Sequence, residues 1–241
     1  MAKSQSSLDS AGEDRTMSLF QHIKRHFLGV RNQVIGLGSG KTVAAIVSQI
    51  GTLPNKQSFK CVVSSLQIKL EAERNKLNVV DENEATDIQI LFDGADQLDS
   101  EYHMIKGGGG ALFREKILFS VARKIVILAD SSKYSNKLNR SVPIEVHPFA
   151  RKSFIRNIQD LNTGIIDCRL RQLQKGFPFF TENGNIIFDV NFESLSSPRK
   201  MVGEIRSIPG VIEVGIFPRP KNVIYYKIHQ DESFDVITFK K

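Results

Sequence analysis

From Met17 onward the apolar positions recur with two alternating periods. In MSLFQHIKRHFL, Leu19, Phe20, Ile23, Phe27 and Leu28 fall at helical spacing, and QVIGLG then predicts a short buried strand running into a glycine turn. The unit repeats. TVAAIVSQIG predicts a compact helix ending at Gly51, FKCVVSS a strand, and LQIKLEAERNKL a helix with mixed charges on its outer face. DIQILFDGAD is a strand that stops in carboxylates, GALFREKILFSVAR a helix, and KIVILAD a further apolar strand ending in an acid. Such alternation predicts an α/β fold, a Rossmann-like and mainly parallel sheet with helices on both faces.

Past Pro143 the pattern changes. IEVHPFA and GIIDCRLRQL read as extended, RKSFIRNIQDL between them as helical, and TENGNIIFDV as an Asn-Gly turn before a strand. PRKMVGEIRSI opens a helix with proline in its first turn, IPGVIEVGIF returns to strand, and NVIYYKI reads as the final strand. A smaller α+β domain at 141–217 is therefore expected, inserted into a Rossmann-like domain formed by 17–140 and 218–241. Residues 1–16, polar and Ser-rich, read as a disordered leader.

Composition narrows the classes. Hydrophobic residues make up 41% of the 241, ample for buried cores, and Cys61 and Cys168 are too isolated for a disulfide framework or a CxxC metal site, which fits a reducing compartment. No apolar stretch approaches the ~20 residues that span a bilayer. The leader lacks a secretory apolar core and carries Asp9, Glu13 and Asp14, unlike an Arg-rich transit peptide, so a cytoplasmic protein is expected, with no membrane partner. The net charge is +7, but the basic residues are interleaved with acids. That reads as a solvated surface, with some excess charge available to a small anionic substrate, and not as a nucleic-acid footprint.

Three predicted strand ends carry polar signatures: GLGSGKT at 36–42, DGAD at 93–96 and DSSK at 130–133. Ligands of open parallel sheets bind at such ends. The Gly-Lys-Thr ending suggests a P-loop, yet position 35 is Ile35 where that loop needs glycine, and Lys41 stands where the dinucleotide pattern needs a third glycine or alanine. What remains is a glycine turn at a helix N-terminus, with Ser39, Lys41 and Thr42 beside it, which serves equally as an anion cradle or as a plain tight turn. DGADQLDSEYHMIKGGGGALFREK is more informative. Asp93 and Asp96 stand at a strand end, Lys106 opens a run of four glycines, and Glu115 lies on the helix that follows. Consecutive glycines are costly to order, and a carboxylate cluster with one lysine suits proton shuttling beside a carbonyl. The alternative is a surface turn with solvated acids. His22 and His26 are four apart but lack a third ligand at suitable spacing, so no metal site is expected, and the same holds for His103, His147 and His229. Arg169 and Arg171 alternate on a predicted strand and read as an exposed face.

DGAD followed by IKGGGGALFREK resembles the signature of the A-type ribose-5-phosphate isomerases, and the resemblance runs through GLGSGKT, VVSS, VILADSSK, VPIEVHPFA, TENGNIIFDV and IPGVIEVGIF in order. It implies a cofactor-free and metal-free aldose–ketose isomerase acting on a small sugar phosphate, assembled as a homodimer or homotetramer. It also implies roles: Glu115 as proton acceptor; Asp93, Asp96 and Lys106 as active-site acids and lysine; Lys133 as a substrate-binding lysine. Ser39, Gly40, Lys41 and Thr42 correspond to the substrate-binding turn, and Gly94, Ala95, Gly107, Gly108 and Gly109 to backbone contacts. The chain departs from the family pattern at Ser39 and Lys41, where GTGST is usual, and at Gln97, where glutamate is common; Lys24 is a loose counterpart of the family's N-terminal lysine. Two rival classes are a nucleotide-dependent ATPase using GSGKT and a non-catalytic binding protein.

Overall fold

The computed structural model describes residues 19–26, 33–84, 86–161 and 164–239. Helix α1 (Leu19–Lys24) buries Ile23 and packs Leu19 and Phe20 against the same core. Phe27, Leu28 and the leader lie outside the described residues. Strand β1 (Val34–Leu37) passes through Gly38 and Ser39 into α2 (Gly40–Ile50), and β2 (Lys60–Val63) into α3 (Leu66–Arg74). Ser65 caps α3 by accepting from the Ile68 amide. Then come β3 (Asn78–Val79), β4 (Ile90–Asp93), the short β5 (Gln97–Leu98) and β6 (Met104–Ile105), α4 (Leu112–Val121) and β7 (Ile125–Asp130).

A second run comprises β8 (Val142–Val146), α5 (Arg151–Gln159), β9 (Ile165–Leu170), β10 (Ile186–Phe192), α6 (Pro198–Arg206) and β11 (Val211–Val214). The chain returns through β12 (Ile216–Phe217), β13 (Val223–Ile228) and β14 (Phe234–Thr238).

Among the described residues the central sheet has seven strands in the order β14-β13-β7-β4-β1-β2-β3, parallel except for β14. Both faces are covered. Ile35, Leu37, Cys61, Ile90, Phe92 and Val126 pack towards α1, α2 and α3, while Val62, Leu91, Ile125 and Ile127 pack with Leu112 and Leu118 of α4. This explains the unbroken apolar runs of these strands. Strands β11-β8-β10-β9 form an antiparallel sheet whose Ile144, Phe188 and Val190 share a separate core with Phe154 and Ile158 of α5 and Met201 and Ile205 of α6. Each fully buried side chain of this size is worth roughly 1.5–3 kcal/mol, so these apolar layers carry the fold and leave the strand ends free for polar chemistry.

Two expectations change. NVIYYKI is not the final strand, because β14 folds back on β13 in antiparallel register after a turn closed by the His229 amide on Ser233 O. IPGVIEVGIF is not one strand: β11 pairs with β8, whereas β12 leaves that sheet and pairs with β6. The break falls at Gly215, where a Cβ would stand 2.4 Å from Lys106 O. The stretch from DGAD to Lys106, to which the sequence pattern assigned no element, holds β5 and β6, which join β12 in a three-stranded sheet.

Candidate active site

The chain proceeds from β1 to β2 and β3 on one side, then crosses to β4 on the other side of β1. A crevice opens at such a reversal, beyond the carboxyl ends of the two strands. Here those ends are the 38–42 turn after β1 and the 93–96 turn after β4, joined by the Gly38 amide donating to Phe92 O at 2.9 Å. Gly38 must lack a side chain, since a Cβ there would lie 2.0 Å from Asp93 Cγ.

Asp93 continues the pleat of β4 and points into the protein, fully buried, with Oδ1 accepting from the Gly94 amide at 2.7 Å. Lys106, at the end of β6, is 3% exposed and places Nζ 2.9 Å from Asp93 Oδ2, 3.1 Å from Glu115 Oε2 and 2.7 Å from Gly94 O. Glu115, in the first turn of α4 and 2% exposed, accepts from the Ser39 hydroxyl at 2.5 Å through Oε1. One ammonium therefore sits between two buried carboxylates, and the hydroxyl from the glycine turn reaches the second of them. Burial, then the Glu115 charge, pushes Asp93 up to about 7, with Lys106 pulling against both. Burial also opposes the Lys106 charge, but Asp93 and Glu115 outweigh it and hold the ammonium above the usual lysine range. A carboxyl raised towards neutrality, a fixed cation and a second carboxylate are the groups with which a site can pass a proton.

The glycine run borders this cluster. Gly107 and Gly110 adopt φ of 107° and 84°, and Gly108 donates its amide to Asp96 Oδ2 at 2.8 Å. A Cβ on Gly107 would meet Leu112 and Pro143 at 3.1 Å, and one on Gly110 would meet the Phe179 ring at 2.5 Å, so both ends of the run are packed too closely for side chains. The Gly109 Cα faces Ser39, with 3.7 Å between a Cβ position and the hydroxyl.

Asp93, Asp96, Lys106, Gly107, Gly108, Gly109, Glu115 and Ser39 thus converge, with Gly94 and Ala95 closing the turn between the acids. Gly40, at φ 88°, starts α2 and donates to Gln67 Oε1 at 3.2 Å. Thr42 is half-buried, and Lys41 is exposed on the first turn of α2. Lys133 is half-buried in the short turn after β7. Among the described residues Lys41 and Lys133 make no bond to the Lys106 cluster. No group of three His, Cys, Asp or Glu side chains converges as metal ligands among them either. No helix among the described residues is long and apolar enough to cross a membrane.

Three side chains support the site in ways that sequence reasoning did not assign. Gln97 accepts from the amides of Asn139 and Arg140 at 2.9 and 3.0 Å and ties the acid turn to the 139–140 backbone. Lys116, beside Glu115, donates to Glu213 and to the carbonyls of Val214 and Ile216, which flank the glycine that bonds the Lys106 amide. Arg171 is not on an exposed face: its side chain is 15% exposed and reaches the glycine run, whereas Arg169 is 80% exposed and pairs with Asp167. Alternation treats the two arginines alike, so nothing in the sequence separates them.

The profile of the family described as ribose 5-phosphate isomerase A (phosphoriboisomerase A) matches residues 60–230. The chain is 36% identical over 211 residues to ribose-5-phosphate isomerase A of Methanosarcina acetivorans, covering 86% of this chain and 88% of that one. It is 35% identical over 211 residues to ribose-5-phosphate isomerase of Lodderomyces elongisporus, covering 86% and 73%. It superposes on the solved ribose 5-phosphate isomerase A of Methanocaldococcus jannaschii with a TM-score of 0.81 at 30% identity, over 95% of this chain and all of that one. On the ribose 5-phosphate isomerase of Plasmodium falciparum the TM-score is 0.84 at 27% identity, over 92% and 97%.

Proposed function

The chain belongs to the ribose 5-phosphate isomerase A family, aldose–ketose isomerases that interconvert D-ribose 5-phosphate and D-ribulose 5-phosphate in the pentose phosphate pathway, and we propose how its own residues carry that reaction. The observation behind the reading is the buried Lys106 ammonium between Asp93 and Glu115, at 2.9 and 3.1 Å, beside a glycine-rich turn. The open-chain sugar lies with its phosphate at Ser39, Gly40, Lys41 and Thr42, near the positive end of α2, and its C1–C2 end against Glu115. Lys133 borders the substrate from the end of β7.

Glu115 removes the C2 proton, and the electron pair moves onto the carbonyl oxygen at C1 to give an enediolate. A proton passes from the C2 hydroxyl to the C1 oxygen, and the same carboxyl returns its proton to C1 as the C2 carbonyl forms, which yields the ketose. Negative charge develops on oxygen in a site shielded from water, where the Lys106 ammonium and the backbone N–H of Gly109 are worth most, the Gly108 N–H being held by Asp96. Asp93, raised towards neutrality, and Asp96 are placed to move protons between the hydroxyls and to assist ring opening. Residues 17–140 and 218–241 form the catalytic domain in this reading, and 141–217 the smaller α+β domain. The site calls for no cofactor or metal, and the enzyme acts in the cytoplasm as a homodimer or homotetramer. Exposed Leu173, Phe177 and Phe180 between β9 and β10 support assembly, and light scattering of the purified protein measures it.

The test is conversion of ribose 5-phosphate to ribulose 5-phosphate in the presence of a metal chelator, with Glu115→Gln alongside. A positioned base contributes roughly 10²- to 10⁴-fold, so the variant should lose about that much in kcat and little in KM. Near-normal turnover by the variant removes Glu115 from the role, and loss of wild-type activity on chelation removes the metal-free reading.

A further inference from the structure

A run of four glycines has little to define its own conformation, yet proton transfer needs donors fixed to a fraction of an ångström. Beyond the Gly110 amide that donates to Gly107 O at 3.0 Å, a restraint comes from the antiparallel sheet. Arg171, just past β9, donates through Nη1 to Gly107 O at 2.8 Å and Gly108 O at 3.2 Å. Its Nε and Nη2 donate to the two carboxylate oxygens of Asp189 on the neighbouring strand β10. The guanidinium also stands 5.8 Å from the centre of the Phe179 ring, the ring packed against Gly110. The arginine is thus held on one edge by a forked ion pair and presents its other edge to two backbone carbonyls, a use for which a planar guanidinium is suited and a lysine is not.

The consequence follows from peptide planarity. In a trans peptide the C=O of one residue and the N–H of the next point in opposite directions. Fixing Gly107 O on Arg171 therefore turns the Gly108 N–H away from the arginine, and there it donates to Asp96 Oδ2 at 2.8 Å. Fixing Gly108 O likewise turns the Gly109 N–H away from the arginine, at a residue where a Cβ would stand 3.7 Å from the Ser39 hydroxyl that donates to Glu115. We propose that Arg171, clamped by Asp189, is a positioning residue for the isomerisation: it sets the Gly108 and Gly109 peptides so that one N–H holds Asp96 and the other faces the oxygen on which the enediolate charge develops. This rests on the site reading given above. It also assigns a task to the small sheet, which supplies the brace while the central sheet supplies the acids and the lysine.

Arg171→Ala tests it, with Glu115→Gln in parallel. Displacing catalytic groups by ~1 Å costs up to about 10²-fold, so kcat should fall about 10- to 100-fold, with KM for ribose 5-phosphate within about threefold because the phosphate turn is untouched. With substrate deuterated at C2, the primary isotope effect on kcat should grow, since proton transfer becomes more limiting; a mere loss of folded protein lowers kcat without changing that ratio. Guanidinium ion at a low, non-denaturing concentration should restore part of kcat to Arg171→Ala. Wild-type kcat in Arg171→Ala, or a lowered kcat with an unchanged isotope effect and no rescue, overturns the proposal while an inactive Glu115→Gln leaves the site reading intact. An active Glu115→Gln removes both. Should Arg171→Ala fail to fold, Asp189→Asn, which keeps the guanidinium but weakens its clamp, should lower kcat several-fold, and an unchanged kcat there overturns the proposal equally.

Discussion

Replacing Lys106 by Met leaves most of the apolar stem in place, beside the Phe119 and Phe217 rings whose centres lie 5.8 and 5.6 Å from Nζ. It removes the charge that separates Asp93 from Glu115. At pH 8 the two carboxylates would then face each other at 0% and 2% exposure. Removing one partner from a buried ion pair costs about 3–5 kcal/mol, and for a chain of this size 1 kcal/mol corresponds to roughly 2–4 °C. The expected fall in Tm is therefore roughly 6–20 °C. The pH dependence has a definite sign. Burial and the Glu115 charge raise Asp93, and removing the ammonium removes the charge that opposes that rise, so folded Asp93 holds its proton at pH values where the unfolded carboxyl, titrating near 4, has released it. The stability tied to that protonation is complete below about pH 4 and is lost as pH rises through the raised folded value. Wild type shares part of this through Asp93, pushed up to about 7, but keeps its ammonium at every pH in this range. The gap between variant and wild type should thus widen from about pH 5 to about pH 8. Scanning calorimetry across that range reads it directly. A Tm equal to wild type at the alkaline end, or a gap that does not change with pH, would refute the reasoning. In a double variant that adds Asp93→Asn, part of the lost stability should return, because a single carboxylate then remains between the two positions.

Other perturbations test separate parts of the site. Gly38→Ala should cost roughly 1–3 kcal/mol by overpacking and lower kcat by displacing Asp93, since its Cβ would stand 2.0 Å from the carboxyl carbon; denaturant unfolding and steady-state kinetics that both match wild type contradict this. Lys41→Ala should raise KM for the phosphorylated sugar by roughly 3- to 10-fold with kcat unchanged, and because the side chain is exposed the difference should shrink at high salt; an unchanged KM at low salt removes the phosphate contact. Burial, then Lys124, lowers His26 from 6.5 to about 4, with its ring nitrogens 3.1 Å from Tyr226 Oη and 2.9 Å from Lys124 Nζ. A folded value below the unfolded one means that the stability this residue contributes is complete above about pH 6.5 and is lost as pH falls through about 4; His26→Gln should flatten that part of the Tm profile, and an identical acid slope speaks against it.

Where strands were long and buried on both faces, the chain was readable. ILFD, IVILAD and VIYYKI each occupy an interior position of the central sheet, and their apolar runs follow from contact with helices or strands on either side. Short strands left no such trace. QL, MI and IF have two residues each, below any period, and they form a sheet only because β12 returns from the small domain to meet β6. The edge strand FDVIT escaped notice for a related reason: it is partly exposed and follows an acidic turn, so its apolar residues do not form a run.

The sequence by itself determined the βα alternation, the glycine turns and the residue types of the site, because periodicity, backbone freedom and side-chain chemistry are local properties. Asp93, Asp96, Lys106 and Glu115 all lie within one short stretch, so their grouping was legible before their geometry was. Only the tertiary structure decided that Lys106 lies between Asp93 and Glu115, that Ser39 reaches Glu115 across 76 residues, and that Arg171 grips the glycine run across 64. Those contacts depend on strand order and on the return of the chain through Gly215, and an arginine on a strand carries no local mark of which backbone it will meet.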